Sequence, residues 1–216
     1  MTDTRALVLQ RIRDALGRGA LSGIALAQVG ARTAPRVGSP GPAGRAEWVE
    51  QFVARATALS MTVARVVSRE EVAGAVAAYV AAQGLAPRVV AAAPLAALAW
   101  PASLSVRIGP AQQSDAVGVT PCFAAIAETG SLVLLSSAAS PTSLNFVPDD
   151  HIVVLGRQQI VGRQEEVWTR LRRGGMPRAV NIVSGPSRTA DVEQVVQLGV
   201  HGPRRVHVVL VEQGGD

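Results

Sequence analysis

The stretch MTVARVVSREEVAGAVAAYVAAQGLAPRVVAAA, residues 61–93, decides the fold class. Residues 61–67 and 88–93 are short runs of β-branched and apolar residues, which are typical of buried strands. Between them, Ser68 and Glu71 have the spacing of a capping box that opens a helix. The apolar face of that helix consists of Val72, Val76, Tyr79 and Val80, and Gly84 ends it. The stretch therefore predicts a strand–helix–strand unit with two parallel strands.

The same alternation of apolar strands and amphipathic helices continues along the chain. Further strands are predicted at residues 104–108, 117–120, 131–136, 152–155, 179–183 and 205–211. Further helices are predicted around residues 48–59 and 163–173, after Pro94, over one or two turns at 122–127, and from Asp191 to Gly199. This order predicts an α/β fold with a mostly parallel sheet that helices cover on both faces. In such folds, ligands bind at the carboxyl ends of the strands.

The chain length of 216 residues predicts one domain with an added N-terminal arm. An amphipathic helix is predicted over residues 3–17, and residues 30–44 read as a Pro/Gly/Arg-rich linker. The arm is therefore placed at residues 1–44 and the α/β domain at residues 45–216. The hydrophobic content of 48% excludes a disordered chain and a fibre.

The net charge of +5 lies in the N-terminal arm and the first residue after it, not in the rest of the protein. Residues 1–45 carry all of this excess, because the rest of the chain holds equal numbers of arginines and acids. The arm has no aromatic residues interleaved for base stacking, so nucleic acid is not an expected partner. Every basic residue is Arg, and the absence of Lys excludes a Schiff base, a Walker lysine and a lysine general base.

The single cysteine, Cys122, excludes a disulfide framework and a cysteine-ligated zinc or iron–sulfur cluster within one chain. The three histidines lie far apart, and neither a dinucleotide-binding glycine motif nor a P-loop is present, so no metal or cofactor is predicted. No apolar run approaches 18 residues and no apolar leader segment begins the chain, so no membrane span is expected. A cytoplasmic, reduced protein is the resulting expectation.

The loop SGPSRT, Ser184–Thr189, is the first of three candidate functional loops. Exposed backbone N–H groups ahead of a helix form an anion site, to which the hydroxyl groups of the loop add. Arg188 has the planar guanidinium that clamps a carboxylate or a phosphate. The candidate binding residues are Ser184, Gly185, Ser187, Arg188 and Thr189. A tight turn with a surface arginine remains the alternative.

The other two loops are AETGS, residues 127–131, and GVHGPRR, residues 199–205. Glu128 is a candidate general base or nucleophile, and its alternative is a solvated carboxylate on a β-turn. Its neighbours Thr129 and Gly130 are candidate binding residues, because glycine permits a close backbone approach. His201 is a candidate acid–base group, and Arg204 is a candidate anion contact.

Three further polar residues favour structural roles. His207 alternates within a predicted strand, and His151 lies at the start of another, so both are expected to be part of the structure. Cys122 lies in an apolar stretch without a neighbouring base, which is typical of a small core residue.

Taken together, five segments resemble the LUD-domain family, in particular its lactate-utilisation protein C group. They are GVT (118–120), AIAETGSLVL (125–134), PDDHIVV (148–154), NIVSGPSRTADVE (181–193) and GVHGPRRVHVVLV (199–211). The resemblance covers roughly residues 45–211. It implies a fold similar to the NagB/RpiA/CoA-transferase superfamily. It also implies membership of a three-component system that oxidises L-lactate to pyruvate, whose other two subunits carry iron–sulfur clusters.

The resulting hypothesis is a subunit of lactate oxidation with a small-carboxylate site and no cluster of its own. Arg188 would hold the carboxylate, and Glu128 or His201 would transfer a proton. A stand-alone enzyme of the same superfold is one alternative, either CoA-transferase-like, which the Glu128-Thr129-Gly130 segment faintly resembles, or folate cyclo-ligase-like. A non-catalytic regulatory or docking subunit that uses its N-terminal arm is the other.

Overall fold

The structure, a computed structural model, describes residues 4–17, 19, 21–33, 44–189 and 197–213. The chain divides into two compact units, Met1–Arg36 and Val37–Asp216. The first unit contains helices α1 (Thr4–Ala15) and α2 (Gly23–Thr33). The helix predicted over residues 3–17 is confirmed as α1. Helix α2 was not predicted, and it includes residues 30–33, so the linker predicted over residues 30–44 begins too early.

The second unit alternates strands and helices along much of its length. Its helices are α3 (Arg45–Ala58), α4 (Val72–Ala82), α5 (Ser143–Phe146) and α6 (Gln164–Gly174). Its strands are β1 (Thr62–Val66), β2 (Arg88–Ala91), β3 (Ser105–Ile108), β4 (Val117–Pro121), β5 (Ala124–Ile126), β6 (Ser131–Leu135), β7 (Asp150–Gly156), β8 (Ile160–Val161), β9 (Val180–Val183), β10 (Arg188–Thr189), β11 (Gln197–Leu198) and β12 (Arg205–Val211). Short 3-10 helices cover Arg69–Glu71, Ala93–Leu95 and Arg157–Gln159.

The central sheet has six strands in the order β1-β12-β7-β4-β2-β3, and every neighbouring pair is parallel. In the middle of the sheet, Val208 pairs with Val63 on one side and with Val153 on the other. Such strands are apolar on both faces because both faces are covered. The predicted α/β class with a mostly parallel sheet is confirmed.

A second sheet of four strands, in the order β8-β5-β6-β9, was not predicted. Strands β5 and β6 form an antiparallel hairpin, in which Ala125 pairs with Leu132. The helical turns predicted over residues 122–127 are therefore wrong. A short apolar run has no periodicity that separates strand from helix, and here pairing with β6 and β8 decides it.

The two faces of the central sheet pack against different layers. On one face, Val153 and Val208 pack with Phe52 of α3 and Leu132 of the second sheet. On the other face, Ile152 and Val209 belong to a cluster with α4 side chains, among them Val76 and Tyr79. The second unit therefore has a layer of helix, a central sheet, and a layer that combines a helix with a second sheet.

Two local predictions need correction. The side chain of Ser68 does not cap a helix. The Glu71 carboxylate accepts a hydrogen bond from the Val67 N–H at 2.9 Å, one residue before the Ser68 N–H that a capping box would use. The helix expected after Pro94 is a single 3-10 turn. The helix expected from Asp191 lies outside the described residues up to position 196, and Gln197–Leu198 form β11 against β10.

In the described part of the chain, no helix combines the length and the apolar character that crossing a membrane requires.

Candidate functional site

The three candidate loops gather at the amino edge of the central sheet, which is formed by the amino-terminal ends of its parallel strands. The loop at residues 199–204 leads directly into β12, and Ser60, which contacts Arg188, stands two residues before β1. Within the second sheet, the antiparallel pairing of β6 with β9 brings the start of β6 beside the end of β9. Strand pairing therefore collects segments that are far apart in the chain.

A chain of hydroxyl groups connects the first two loops. The Thr129 Oγ1 and Ser131 Oγ atoms lie 2.7 Å apart, and Ser131 Oγ lies 2.8 Å from Ser184 Oγ. Ser131 is buried, whereas Thr129 and Ser184 are exposed. A hydroxyl group both donates and accepts, so this chain can present a donor to an oxygen atom at its exposed end.

Two glycines let these loops pack directly on the end of α3. Gly130 has φ +71°, and a Cβ there would stand 2.7 Å from the Ala56 backbone nitrogen. Gly185 has φ +101°, and a Cβ there would stand 2.5 Å from the Leu59 carbonyl oxygen. Gly130 was predicted to allow a close approach to a ligand, and in the structure its close approach is to the backbone of α3. Both glycines therefore hold the loops in place.

Arg188 lies at the same helix end. Its Nη2 group donates a hydrogen bond to Ser60 Oγ. Ser60 has φ 65°, the left-handed conformation that commonly follows the end of a helix. The Arg188 side chain is exposed, and none of the ion pairs formed by the described residues involves it. Its remaining N–H groups can bind a carboxylate in the planar, two-point manner.

The third loop is held against Ser187 by backbone hydrogen bonds. The Ser187 N–H donates to the Pro203 carbonyl at 2.9 Å, and the Gly199 N–H donates to the Ser187 carbonyl at 3.0 Å. Arg204 Nε lies 3.6 Å from Asp149 Oδ1, and both side chains are mostly exposed. Thus the loop that carries His201 and Arg204 adjoins the SGPSR segment, and Arg204 already has a carboxylate partner.

No hydrogen bond or ion pair between described residues joins the two candidate proton-transfer residues. Glu128 lies on the hairpin turn between β5 and β6, and its backbone N–H donates to the Gly162 carbonyl at 3.1 Å. The side chains of Glu128 and His201 are exposed, and within the described ranges neither forms a hydrogen bond or an ion pair. Thr189 pairs with Gln197 through the backbone. The arrangement thus brings exposed hydroxyl groups and the Arg188 guanidinium to one surface, and the described residues form no hydrogen-bonded acid–base pair there.

A second polar cluster, which the sequence did not single out, lies near the same edge. Asp150 is fully buried, and it accepts hydrogen bonds from Tyr79 Oη at 2.7 Å and from the Arg205 guanidinium. Burial, followed by the bond to Asp150, raises the pKa of Tyr79. The Asp150 carboxylate likewise raises the pKa of Arg205. Because Asp149-Asp150 and Arg204-Arg205 are pairs of identical neighbours, the sequence does not reveal that Asp150 is the buried carboxylate or that Arg205 is its partner.

Both strand histidines are buried. His151 Nε2 lies 2.8 Å from Thr120 Oγ1, and burial lowers the pKa of His151 to about 3. His207 Nδ1 lies 2.7 Å from Thr62 Oγ1, its ring stacks on Tyr79, and burial lowers its pKa to about 4. Both imidazoles are therefore neutral at physiological pH, in keeping with the structural roles predicted for them.

The described residues offer little support for metal or thiol chemistry. In the parts of the chain that the structure describes, no three His, Cys, Asp or Glu side chains are placed to hold a metal ion. Cys122 is buried as predicted, and burial raises the pKa of its thiol to about 12. A thiol with this pKa is not a nucleophile at neutral pH.

Comparison with protein families places the loops inside a known domain type. A family model described as LUD domain matches residues 110–211, a region that contains all three candidate loops. A crystal structure of a DUF162 family protein from Deinococcus radiodurans resembles the chain with a TM-score of 0.62 and 29% identity. The match covers 79% of this chain and 99% of that protein.

The curated relatives of this chain include several proteins named Lactate utilization protein C. Lactate utilization protein C of Geobacillus kaustophilus is 30% identical over 166 residues, which make up 65% of this chain and 69% of that protein. Uncharacterized protein YkgG of Escherichia coli K12 is 34% identical over 122 residues, covering 54% of this chain and 52% of that protein. The chain spans about half the length of several other curated relatives that it matches.

Proposed function

Because the chain belongs to the LUD-domain family, we propose that it is one component of a system that oxidises L-lactate to pyruvate. The observation that carries the proposal is the similarity to a protein named Lactate utilization protein C across 69% of that protein's length. The oxidation releases two electrons and two protons. A chain with one cysteine, itself buried, has no four-cysteine cluster to receive these electrons, so they pass to a partner.

The proposed site for the substrate carboxylate is the surface formed by the three loops. Arg188 binds the carboxylate, and the Ser184 hydroxyl at the exposed end of the hydroxyl chain donates to one of its oxygens. The remaining proposed contacts come from Thr129, Gly130, Gly185, Ser187, Thr189 and Arg204. What supports this site is the exposed Arg188 guanidinium, held by Ser60 and without an ion-pair partner among the described residues.

Proton transfer at this surface is assigned to Glu128 or His201. Both side chains are exposed, so a bound substrate can reach either of them. Catalytic hydrogen bonds to such residues often form only when the substrate is bound. This part of the proposal predicts that one of the two residues, and not both, is indispensable.

Lactate-dependent growth tests the proposal. A strain that lacks its own protein of this type is complemented with the wild-type chain, Arg188→Ala, His201→Ala or Glu128→Gln. Arg172→Ala, an exposed arginine in the last turn of α6, is the matched control. We expect Arg188→Ala to abolish growth on lactate with an unchanged melting temperature. Normal growth of both Arg188→Ala and His201→Ala contradicts the assigned site, and growth without the protein contradicts the function.

The proposed partners are the iron–sulfur subunits of the lactate-oxidising system, met in the cytoplasm. The N-terminal unit supports a docking role, because α1 has no buried residue. The apolar stripe of α1 and the residue after it is about half exposed, with 40% exposure for Leu9, 49% for Ile12 and 59% for Leu16. Exposed apolar stripes of this kind mark protein contacts.

Co-purification tests the docking role. The full chain and a variant lacking residues 1–44 are each expressed together with the iron–sulfur subunits. We expect the truncated variant to lose the partners, and Ile12→Ser in the full chain to weaken the association. Unchanged recovery of the partners by the truncated variant removes the arm from the proposal.

A further inference from the structure

Strand β9 forms one edge of the second sheet, and in the described part of the chain no strand pairs with its outer side. Strand β6 occupies the inner side, with Leu135 opposite Val180. The residues of β9 are only partly buried, and Ile182 is 39% exposed. An open edge of this kind is a template for pairing with another strand.

The hydrogen bonds between β6 and β9 show which backbone groups of β9 point outward. The Ser136 N–H donates to the Ala179 carbonyl at 3.0 Å, so the backbone of Ala179 points towards β6. Backbone groups alternate in direction along an antiparallel strand, so Val180 and Ile182 present their N–H and C=O groups to the outer side. Among the described residues, none bonds to these groups. They therefore offer donors and acceptors to a second strand.

This pattern is complementary to itself. When two copies of β9 run antiparallel about a two-fold axis through Asn181, Val180 of each copy lies opposite Ile182 of the partner subunit. Both residues point their backbone groups across the axis, so each of the two pairs forms two hydrogen bonds. Residues opposite each other lie on one face of a sheet, so the partner's Val180 also covers the exposed Ile182 side chain.

The side chain of Asn181 is a second, independent observation in favour of this pairing. Its Nδ2 atom is buried, and no described residue accepts a hydrogen bond from it. A buried donor without an acceptor costs free energy. On the axis, the Cβ atoms of the two Asn181 residues lie about 5 Å apart on the same face. Each Nδ2 can then donate to Oδ1 of the partner subunit's Asn181.

The same register, continued beyond β9, reaches the candidate loops. It sets Ser184 opposite Arg178 of the partner subunit, because both positions are equally far from Asn181. Ser184 is the exposed end of the hydroxyl chain. Arg178 is exposed, and none of the ion pairs between described residues includes it. Each loop surface therefore receives a guanidinium from the other copy.

A second copy of this chain suits the edge better than an unrelated strand does. A copy always brings an asparagine to the axis, whereas an apolar residue there would leave the Asn181 amide without an acceptor. The two Arg178 side chains lie at opposite ends of the pairing, about 20 Å apart, so like charges do not meet.

We propose that two copies of this chain pair through β9 about a two-fold axis at Asn181, and that Arg178 of the partner subunit completes each carboxylate site. The two four-stranded sheets thereby form one continuous sheet, whose size is ordinary for globular proteins. The contribution of Arg178 rests on the proposed function, whereas the pairing of the two copies does not.

Sedimentation equilibrium of the full-length protein tests the pairing. Ile182→Lys places a charge on the edge, and Ile182→Pro removes a backbone N–H that points away from β6. Ile108→Lys is the matched control, because Ile108 is 40% exposed and ends β3, the edge strand of the central sheet. We expect a wild-type dimer whose dissociation constant rises about tenfold or more in both Ile182 variants and not in the control. Circular dichroism verifies that each variant is folded.

Disulfide formation tests the register. In Asn181→Cys the new thiols lie opposite each other in a pair without backbone hydrogen bonds, at a separation that a disulfide accepts. The native Cys122 is buried and does not compete. We expect mild oxidation to give a covalent dimer with Asn181→Cys and far less with Ile182→Cys, although position 182 is more exposed.

Growth on lactate tests the contribution of Arg178. We expect neither Arg178→Gln nor Arg188→Ala to support growth when expressed alone, and the control Arg172→Gln to support it normally. Co-expression of the first two variants should restore growth. In a mixed dimer, the copy that retains Arg188 faces a partner that retains Arg178, so one of the two sites is intact.

Four results overturn the proposal. Two of them concern the pairing: a wild-type protein that is a monomer at every concentration measured, and a dimer that neither Ile182 variant weakens. The third is a disulfide that forms more readily in Ile182→Cys than in Asn181→Cys, which contradicts the register. The fourth is normal growth with Arg178→Gln, which removes Arg178 from the site. Failure of the proposed function is distinguishable, because sedimentation and disulfide formation do not depend on lactate.

Discussion

Arg205 and Asp150 form a two-point ion pair between the first residues of β12 and β7, with Nε–Oδ1 at 2.6 Å and Nη2–Oδ2 at 2.7 Å. The Asp150 side chain is fully buried, whereas 45% of the Arg205 side chain is exposed. Tyr79 donates a third hydrogen bond to the same carboxylate. The pair thus ties two neighbouring strands and α4 together directly beneath the loop that carries His201.

Removal of Arg205 should therefore destabilise the fold markedly. In Arg205→Gln, the buried Asp150 carboxylate loses its charged partner, and we expect a loss of about 2–4 kcal/mol in the free energy of unfolding. The neighbouring Arg204→Gln is the control and should cost at most about 1 kcal/mol, because its ion pair with Asp149 is exposed. Chemical denaturation measures both values. Equal losses for the two variants would contradict the role given to the pair.

Stability should fall as the solution becomes acidic. Burial lowers the pKa of His207 to about 4 and that of His151 to about 3, below the ordinary value near 6.5 of an unfolded chain. Between pH 6.5 and 4 the unfolded state therefore binds more protons than the folded state, and acid favours unfolding. Each histidine contributes a slope of up to about 1.4 kcal/mol per pH unit.

Denaturation curves at several pH values between 5 and 7.5 measure this slope. We expect His207→Gln to reduce it, because the titrating group is gone. His201→Gln serves as the control and should leave it unchanged, since that imidazole is exposed. A slope that both variants reduce equally would show that burial of His207 is not its source.

Substitution of the glycines beneath the loops should be costly. Alanine at Gly130 requires an unfavourable positive φ and places a Cβ 2.7 Å from the backbone of α3, so we expect Gly130→Ala to cost more than about 2 kcal/mol. At Gly174, the last residue of α6, an added Cβ would meet no atom within 4 Å, and the backbone has no positive φ. Gly174→Ala should be neutral or slightly stabilising. Thermal unfolding compares the two, and a neutral Gly130→Ala would contradict the packing described.

The thiol of Cys122 should be inert in the native protein. Burial raises its pKa to about 12, so almost no thiolate is present at pH 8, and reagents have no access to the sulfur. A chromogenic disulfide reagent should label the native protein only slowly and the protein in guanidinium completely. Rapid stoichiometric labelling of the native protein would contradict the burial.

Much of the candidate site was open to prediction, but its geometry was not. The hydroxyl-rich SGPSRT and the ETG turn stand out by composition, which is local information. The contacts that join them come from Ser60 and Ser131, single hydroxyls at the end of a helix and the start of a strand. The sequence placed Ser131 in a candidate loop but did not single out Ser60, because contacts with residues 53 and 128 positions away in the chain give these two hydroxyls their roles.

The amino-acid sequence alone determined the α/β class, because capping residues and the 3.6-residue period of residues 61–93 act over a few positions. It also determined that no lysine chemistry and no four-cysteine cluster resides in this chain. Tertiary structure alone decided that residues 124–126 form a strand, that Asp150 and not Asp149 is buried, and that the three loops meet at the amino edge. It also left β9 at an open edge of the second sheet. These outcomes depend on which distant segments pair and pack, and the free energy of such contacts is not contained in any one stretch of the chain.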